Sequence, residues 1–257
     1  LEKWVTGKDD WRANVRNQTL GMLREGLHDR AITRDIDWGV PVPLGGWESK
    51  RIYVWFEAVL GYLSAARAWA EQKGMPDEWK KFWVDPEGES YYFQGKDNVS
   101  FHTIMLPSIL MGSGDLNLPT DVVANEYLNI GGADFSKSTG NAIWVTDFLS
   151  RYEADPLRYY LSSIMPETSD SDFTWEGFHA ANNNELVATF GNFVNRVLTI
   201  TTKNFDNAAP TPGELDDDDK AALAACDTAL AEVSKAIDGR RFRDGLRAAM
   251  RLARHGN

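Results

Sequence analysis

The run Gly131-Gly-Ala-Asp-Phe-Ser-Lys-Ser-Thr-Gly-Asn141 gathers glycines and hydroxyls around a single lysine, Lys137. Backbone N–H groups in such a loop, and a mobile ammonium, both suit the phosphates of a nucleotide. It is not a Walker loop, because the Gly-Lys-Ser/Thr order with its upstream glycine is missing. The same residues also describe an ordinary surface loop with an exposed lysine. A second cluster, Gly95-Lys-Asp-Asn-Val-Ser-Phe-His102, joins a glycine turn, an acidic residue and a histidine. A strand ending in such a turn and opening into a helix is where α/β sheets bind ligands. Asp97 there either takes a ribose hydroxyl or caps the following helix. His102 is either a ligand contact or a satisfied, partly buried histidine. A third cluster, Tyr53-Val-Trp-Phe-Glu-Ala-Val-Leu-Gly-Tyr62, sets Trp55 and Tyr62 around the small residues Ala58 and Gly61. That arrangement is a slot for an apolar side chain, or it is core.

These clusters need elements to hold them, and the pattern supplies two kinds. From Asp9 to about Met165 helical stretches alternate with short β-rich runs, as in α/β layers. Leu20, Leu23 and Leu27 sit at helical spacing. Arg51 to Phe56, dense in β-branched and aromatic residues, reads as a strand, and Ala58 to Gln72 as a helix ended by Gly74 and Pro76. Ser90 to Gln94 reads as a strand and Phe101 to Met111 as a helix that Pro107 kinks or restarts. Asp121 to Ala124 and Tyr127 to Ile130 are short strands. Beyond Thr174 the β signals fade. Trp175 to Lys203, Lys220 to Ile237 and Arg241 to Ala253 then read as three helices. The acidic run Asp216 to Asp219 reads as a solvated loop leading into a helix N-terminus, where negative charge is favourable. The expected architecture is α/β followed by an all-α helical bundle.

Composition sets the outer limits. Of 257 residues, 43% are hydrophobic, enough for a substantial core and too many for a disordered chain. A formal net charge of −11 argues against indiscriminate nucleic-acid binding, which needs concentrated Lys and Arg, but leaves room for a local basic face. Cys226 is the single cysteine, so neither an internal disulfide nor a cysteine-based zinc cluster can form within the chain. We find no uncharged apolar run of membrane-spanning length and no signal peptide at Leu1 to Trp4, and a reducing cytoplasm is the expected compartment. A first residue other than Met suggests a fragment or a processed product.

Taken in order, Tyr53-Val-Trp-Phe-Glu-Ala, Gly95-Lys-Asp-Asn-Val-x-Phe-His-Thr and Phe135-Ser-Lys-Ser-x-Gly-Asn resemble the methionyl-tRNA synthetases. Asp155-Pro-Leu-Arg-Tyr-Tyr160, Asp172-Phe-Thr-Trp-Glu176 and Asn184-Glu-Leu-Val to Gly191-Asn-Phe-Val-Asn-Arg196 continue the resemblance over nearly the whole chain. It implies the second half of a class I, Rossmann-like catalytic domain over residues 1–174, including the lysine loop 131–141. An incomplete, helical anticodon-binding domain would then follow over residues 175–257. It also implies a ligase that joins L-methionine to ATP, held with Mg2+ as a substrate, and then acylates tRNA(Met). By resemblance, Lys137 matches the second lysine of the mobile Lys-Met-Ser-Lys-Ser signature and would offset charge developing on the phosphates. Gly95, Asp97 and Leu128 match ATP-binding positions. Trp55, Ala58, Tyr62 and His102 match the methionine pocket, and Asn192 and Arg196 match residues that meet the anticodon.

There are departures. The first signature lysine is Asp134 here, Phe135 replaces Met, and Val59 stands where many relatives have Pro. No His-x-Gly-His occurs in these residues. The resemblance therefore implies partnership with an amino-terminal half of the enzyme, and no useful adenylate formation by this chain alone. Two other readings stand beside it: a non-catalytic tRNA-binding or assembly module derived from the same fold, and a class I enzyme for leucine, isoleucine, valine or cysteine.

Overall fold

A computed structural model describes every residue of the chain except Lys137 and Thr139. It divides into two compact units, Leu1–Asn125 and Glu126–Asn257.

In the first unit, α1 (Glu2–Thr6) and α2 (Ala13–Glu25) precede a two-residue antiparallel ladder of β1 (Thr33–Arg34) and β2 (Arg51–Ile52). Helices α3 (Val54–Ala58), α4 (Gly61–Gln72) and α5 (Lys80–Trp83) follow. Strand β3 (Tyr91–Gly95) then pairs in parallel with β4 (Asp121–Asn125), in register from Tyr91↔Asp121 to Gly95↔Asn125. Their crossover holds a 3-10 turn (Lys96–Asn98), a π-helical turn (Phe101–Met105) and α6 (Leu106–Ser113). Pro107 lies in the first turn of α6, where its missing N–H costs nothing, so it starts that helix. One side of the strands buries Val99, Val122 and Ala124 against Val5, Trp11, Val15 and Leu20 of the first two helices. A neighbouring core joins Val59, Trp83, Leu106 and Leu110. Full burial of such side chains contributes about 1.5–3 kcal/mol each.

Two expectations need correction here. Arg51–Phe56 is not a strand throughout. Arg51 and Ile52 pair with β1, Tyr53 N–H donates to the Ile32 carbonyl at 2.7 Å, and the chain then turns into α3. Past Tyr53 no ladder partner is at hand among the described residues, so the backbone satisfies its own polar groups by closing a helical turn. Leu27, expected on the first helix, is exposed beyond its end, because Gly26 breaks α2 with φ 95°.

In the second unit, β5 (Leu128–Ile130) pairs in parallel with β6 (Ser171–Phe173), and the connection carries α7 (Val145–Leu149) and α8 (Ala154–Ser163). Phe148, Tyr160, Phe173 and Phe178 form its core, and Trp175 lies edge-on to Phe173 at 5.5 Å. The expected long helix after Thr174 is continuous in direction but changes pitch: α9 (Trp175–Ala180), a π-helical stretch (Ala181–Gly191) and α10 (Asn192–Asn204). Within the wide turns Thr189 Oγ1 donates five residues back, to the Asn184 carbonyl at 2.9 Å. Helix α11 (Asp217–Asp238) starts from the acidic run. Asp216 accepts from the Asp219 N–H at 2.8 Å, and Asp219 accepts in return from the Asp216 N–H at 3.2 Å. Helix α12 (Phe242–Gly256) packs back on α11, with Gly245 seated beside Ala236 and Ile237.

Gly177 shows how tightly α9 is docked. Its N–H donates to Thr174 Oγ1 at 3.0 Å, and an added Cβ would run into the Tyr160 hydroxyl. Gly177→Ala should therefore destabilise the chain by about 1–3 kcal/mol despite alanine's better helix propensity. A lower urea midpoint at unchanged m-value checks this, and a stabilised variant would refute it.

Candidate functional site

The residues of the third sequence cluster and His102 meet in the first unit. Helix α3 places Trp55 and Ala58 three residues apart, hence on one face. The Trp55 indole stacks on Phe101, with centroids 5.2 Å apart and planes 25° apart. Tyr62, in the first turn of α4, brings its hydroxyl 2.9 Å from His102 Nε2, while His102 Nδ1 lies 3.0 Å from the Asn98 carbonyl oxygen. A carbonyl can only accept, so Nδ1 carries the proton and Nε2 accepts from the Tyr62 hydroxyl. Tyr92 stands edge-on to Tyr62 at 5.3 Å and 5.5 Å from His102. The result is a wall of aromatic rings with no formal charge among them and one hydroxyl oxygen fixed in direction. Trp55 and Tyr62 are each 47% exposed, whereas His102 is 7% exposed, so the rings present faces while the histidine stays behind them.

Burial pulls the His102 pKa below the ordinary histidine value, partly opposed by the Asn98 hydrogen bond. Burial likewise raises the Tyr92 phenol. For a histidine lowered on folding, the unfolded chain binds the extra proton as pH falls. Its contribution is thus complete above the unfolded value of about 6.5 and is lost progressively below it. The chain's melting temperature should fall as pH drops below about 6.5, and His102→Gln should flatten that slope. An equal slope in the variant would remove His102 as its cause.

The second sequence cluster lies one turn away. Gly95 ends β3 and Asp97 sits in the 3-10 turn, both exposed. Space beside Gly95 is open, with nothing within 4 Å of where a Cβ would stand. Asn98, next in sequence, orients His102, so the strand end and the aromatic wall share one hydrogen-bonded turn.

The other expected site residues belong to the second unit. Leu128 opens β5 and packs on the aromatic core. Lys137 lies outside the described residues. Around it, Ser136 N–H donates to the Asn141 carbonyl at 3.0 Å, and Asn141 Nδ2 donates to the Asp134 carbonyl at 2.9 Å. Gly131 and Gly132 have φ of 57° and 79°, and the Gly132 N–H donates to Asp172 Oδ1 at 2.9 Å. The glycines are thus required by the turn itself. Asn192 and Arg196 are exposed on α10, and Arg196 Nη1 donates to the Asn257 carbonyl at 2.7 Å and to its Oδ1 at 2.6 Å.

Sequence reasoning missed Phe101, Tyr92 and Asn98. Phe101 stood beside a singled-out histidine, and Tyr92 shares the inward phase of its strand, so aromatic density near His102 was the available signal. Phe101 also lines an open cavity of about 580 Å3 with Met22, Leu27, Phe56 and Met105, which none of Trp55, Ala58, Tyr62 or His102 lines. Among the described residues, no three His, Cys, Asp or Glu side chains group as metal ligands, and no helix is long and apolar enough to cross a membrane.

A family model described as class I tRNA synthetases (M) matches residues 1–198. A methionine–tRNA ligase of Dehalococcoides mccartyi is 56% identical over 257 residues, covering 100% of this chain and 46% of the relative. One of Corynebacterium diphtheriae is 45% identical over 273 residues, covering 100% of this chain and 44% of the relative. A crystal structure of Mycobacterium tuberculosis methionyl-tRNA synthetase bound by methionyl-adenylate is similar with a TM-score of 0.85 at 27% identity, over 98% of this chain and 48% of that one. The chain thus spans about half the length of the relatives it matches.

Proposed function

The chain belongs to the class I methionyl-tRNA synthetases, and on that premise we propose that its residues serve the ATP-dependent activation of L-methionine and its transfer to tRNA(Met) in the cytoplasm, where those three meet. In the first step a methionine carboxylate oxygen attacks the α-phosphorus of ATP and pyrophosphate leaves. In the second, a terminal ribose hydroxyl of the tRNA attacks the adenylate carbonyl and AMP leaves.

The observation that carries this reading is the Tyr62–His102 pair set in aromatic rings. A thioether is uncharged and polarizable, and sulfur packs well on ring edges. The Tyr62 hydroxyl, which donates its hydrogen bond to neutral His102, keeps oxygen lone pairs that would face a ligand at this half-exposed wall. A branched aliphatic side chain gains less from such a wall and offers no soft atom to that oxygen. By resemblance, Gly95 and Asp97 at the open strand end of the first unit would serve ATP binding; in the second unit, by the same resemblance, Leu128 would serve it too and Lys137 would stabilise the leaving pyrophosphate. We take residues 1–174 as the catalytic part and residues 175–257 as part of a helical anticodon-binding domain. The run of α9, π turns and α10 to α12 supports that boundary.

The test mixes this chain with the amino-terminal remainder of the Dehalococcoides relative and measures amino-acid-dependent ATP–pyrophosphate exchange with methionine, leucine, isoleucine, valine and cysteine. Exchange with methionine far above the other four is the expected result. Exchange strongest with another amino acid would change the substrate. None with any, from a folded complex, would favour the non-catalytic module, the reading that the exposed Asp134 at a signature lysine position supports.

A further inference from the structure

The chain carries a net charge of −11, yet Arg240, Arg241, Arg243, Arg247, Arg251 and Arg254 fall within fifteen residues, and α12 itself holds four of them against one acid, Asp244. Their spacing sorts them into faces. Arg243, Arg247, Met250 and Arg254 recur at four, three and four residues, a single stripe about 16 Å long at 1.5 Å per residue. Arg251 points elsewhere and pairs with Glu232 of α11.

The stripe lines a cavity of about 240 Å3 whose other walls are Tyr159 and Ser163 of α8 and Glu185 of the π-helical stretch. Within it, the Tyr159 hydroxyl donates to Glu185, and burial together with that carboxylate holds the phenol protonated. Glu185 is thereby engaged by Tyr159. Arg247 meets Asp244 weakly at 3.4 Å, at the rim. The Nε of Arg243 is buried and meets no hydrogen-bond partner among the described residues. Three arginines therefore line one partly open cavity with one engaged carboxylate, leaving N–H donors for an anion with several acceptor oxygens. The stripe also runs towards a defined place. The end of α12 packs Gly256 against Phe193 and gives Asn257 to Arg196, so the basic row leads to the helix carrying Asn192 and Arg196.

We propose that the cavity between α8, the π-helical stretch and α12 is a phosphate site, in which Arg243, Arg247 and Arg254 hold a backbone phosphodiester of the tRNA whose anticodon meets α10. The inference rests on the tRNA-ligase reading but concerns backbone positioning, which carries no sequence information. An RNA phosphate suits the site better than a carboxylate, because a row of planar forks along one helix face fits successive anionic groups of a strand.

The experiment measures binding of the intact chain to a tRNA transcript with a CAU anticodon, and to one with that anticodon scrambled, from about 50 to 300 mM salt. Each arginine–phosphate pair removed should flatten the log–log salt dependence by about 0.7–0.9. The double variant Arg247→Gln/Arg254→Gln, both positions exposed, should reduce the slope by about 1.5 on both transcripts alike, with far-UV circular dichroism unchanged. Arg251→Gln, on the same helix, should leave the slope as it was. An unchanged slope in the double variant, or an equal reduction in Arg251→Gln, overturns the proposal while leaving the ligase reading intact. Failure of the unaltered chain to bind either transcript overturns the phosphate-site proposal, while the ligase reading stands or falls by the exchange assay. Protection against heat by inorganic phosphate that the double variant lacks, with no change in the tRNA slope, would assign the site to a free anion and overturn the RNA assignment.

Discussion

Lys137→Ala is expected to slow methionine-dependent ATP–pyrophosphate exchange by about 10²–10³-fold, with little change in KM for methionine. A positioned cation that meets charge only as pyrophosphate departs acts on the transition state, so its loss falls on kcat. The described residues on either side of Lys137 form a hydrogen-bonded stem. Ser136 and Asn141 pair across the turn, Asn141 ties back to the Asp134 carbonyl, and Gly132 is bonded to Asp172. The stem keeps its hydrogen bonds when the lysine is truncated, so the variant should remain folded. Asp134 supplies a built-in comparison. Its side chain is exposed and its backbone does the structural work, so Asp134→Lys should fold normally and speed exchange several-fold. A loss below about fivefold in Lys137→Ala would take the lysine out of the chemistry.

Trp55→Ala should lower kcat/KM for methionine by about 10²-fold, roughly 2.7 kcal/mol, while leaving KM for ATP nearly unchanged. Trp55 is half exposed and stacked on Phe101, so it presents one large rigid face at little cost in side-chain freedom. Truncation removes that face and also leaves Phe101 free to collapse into the gap. Trp55→Phe should recover most of the loss, since a smaller ring can still stack at the same place. Equal losses for methionine and ATP would instead indicate that α3 had moved, and a drop under threefold would show that the indole is merely a surface aromatic.

Much of the fold was legible because local pattern and tertiary structure agree. Tyr91–Gly95, Asp121–Asn125 and the capped start of α11 fall within a few residues of expectation, each bounded by turn chemistry that pattern reveals. Arg51–Phe56 failed because β-rich composition says nothing about whether a partner strand exists, and pairing stops after Ile52. The long helix after Thr174 was visible, but its wide turns were not, since apolar spacing hardly distinguishes the two pitches over eleven residues. For the site, the Tyr62–His102 contact joins positions forty residues apart. No periodicity reports such a pair, and a motif resemblance was needed to suspect it. Tyr92 and Phe101 were passed over because aromatic residues in an α/β core are ordinary until a structure shows what they face. The phosphate-facing arginines were hidden for a different reason, because a whole-chain charge averages a basic helix against an acidic remainder.

The hydrogen bond that commits Nδ1 of His102 to the Asn98 carbonyl also makes this ring a spectroscopic reporter. The chain holds four histidines, so a nitrogen-15 imidazole spectrum is sparse enough to assign by comparison with a single His102→Gln sample. The pyrrole-type nitrogen of His102 is tied to the backbone, while its pyridine-type nitrogen listens to Tyr62 through one hydrogen bond. A ligand drawing on the Tyr62 oxygen would change how strongly that proton is shared, and the pyridine-type resonance would move. Occupancy could then be followed on unlabelled ligands, without ATP, tRNA or turnover.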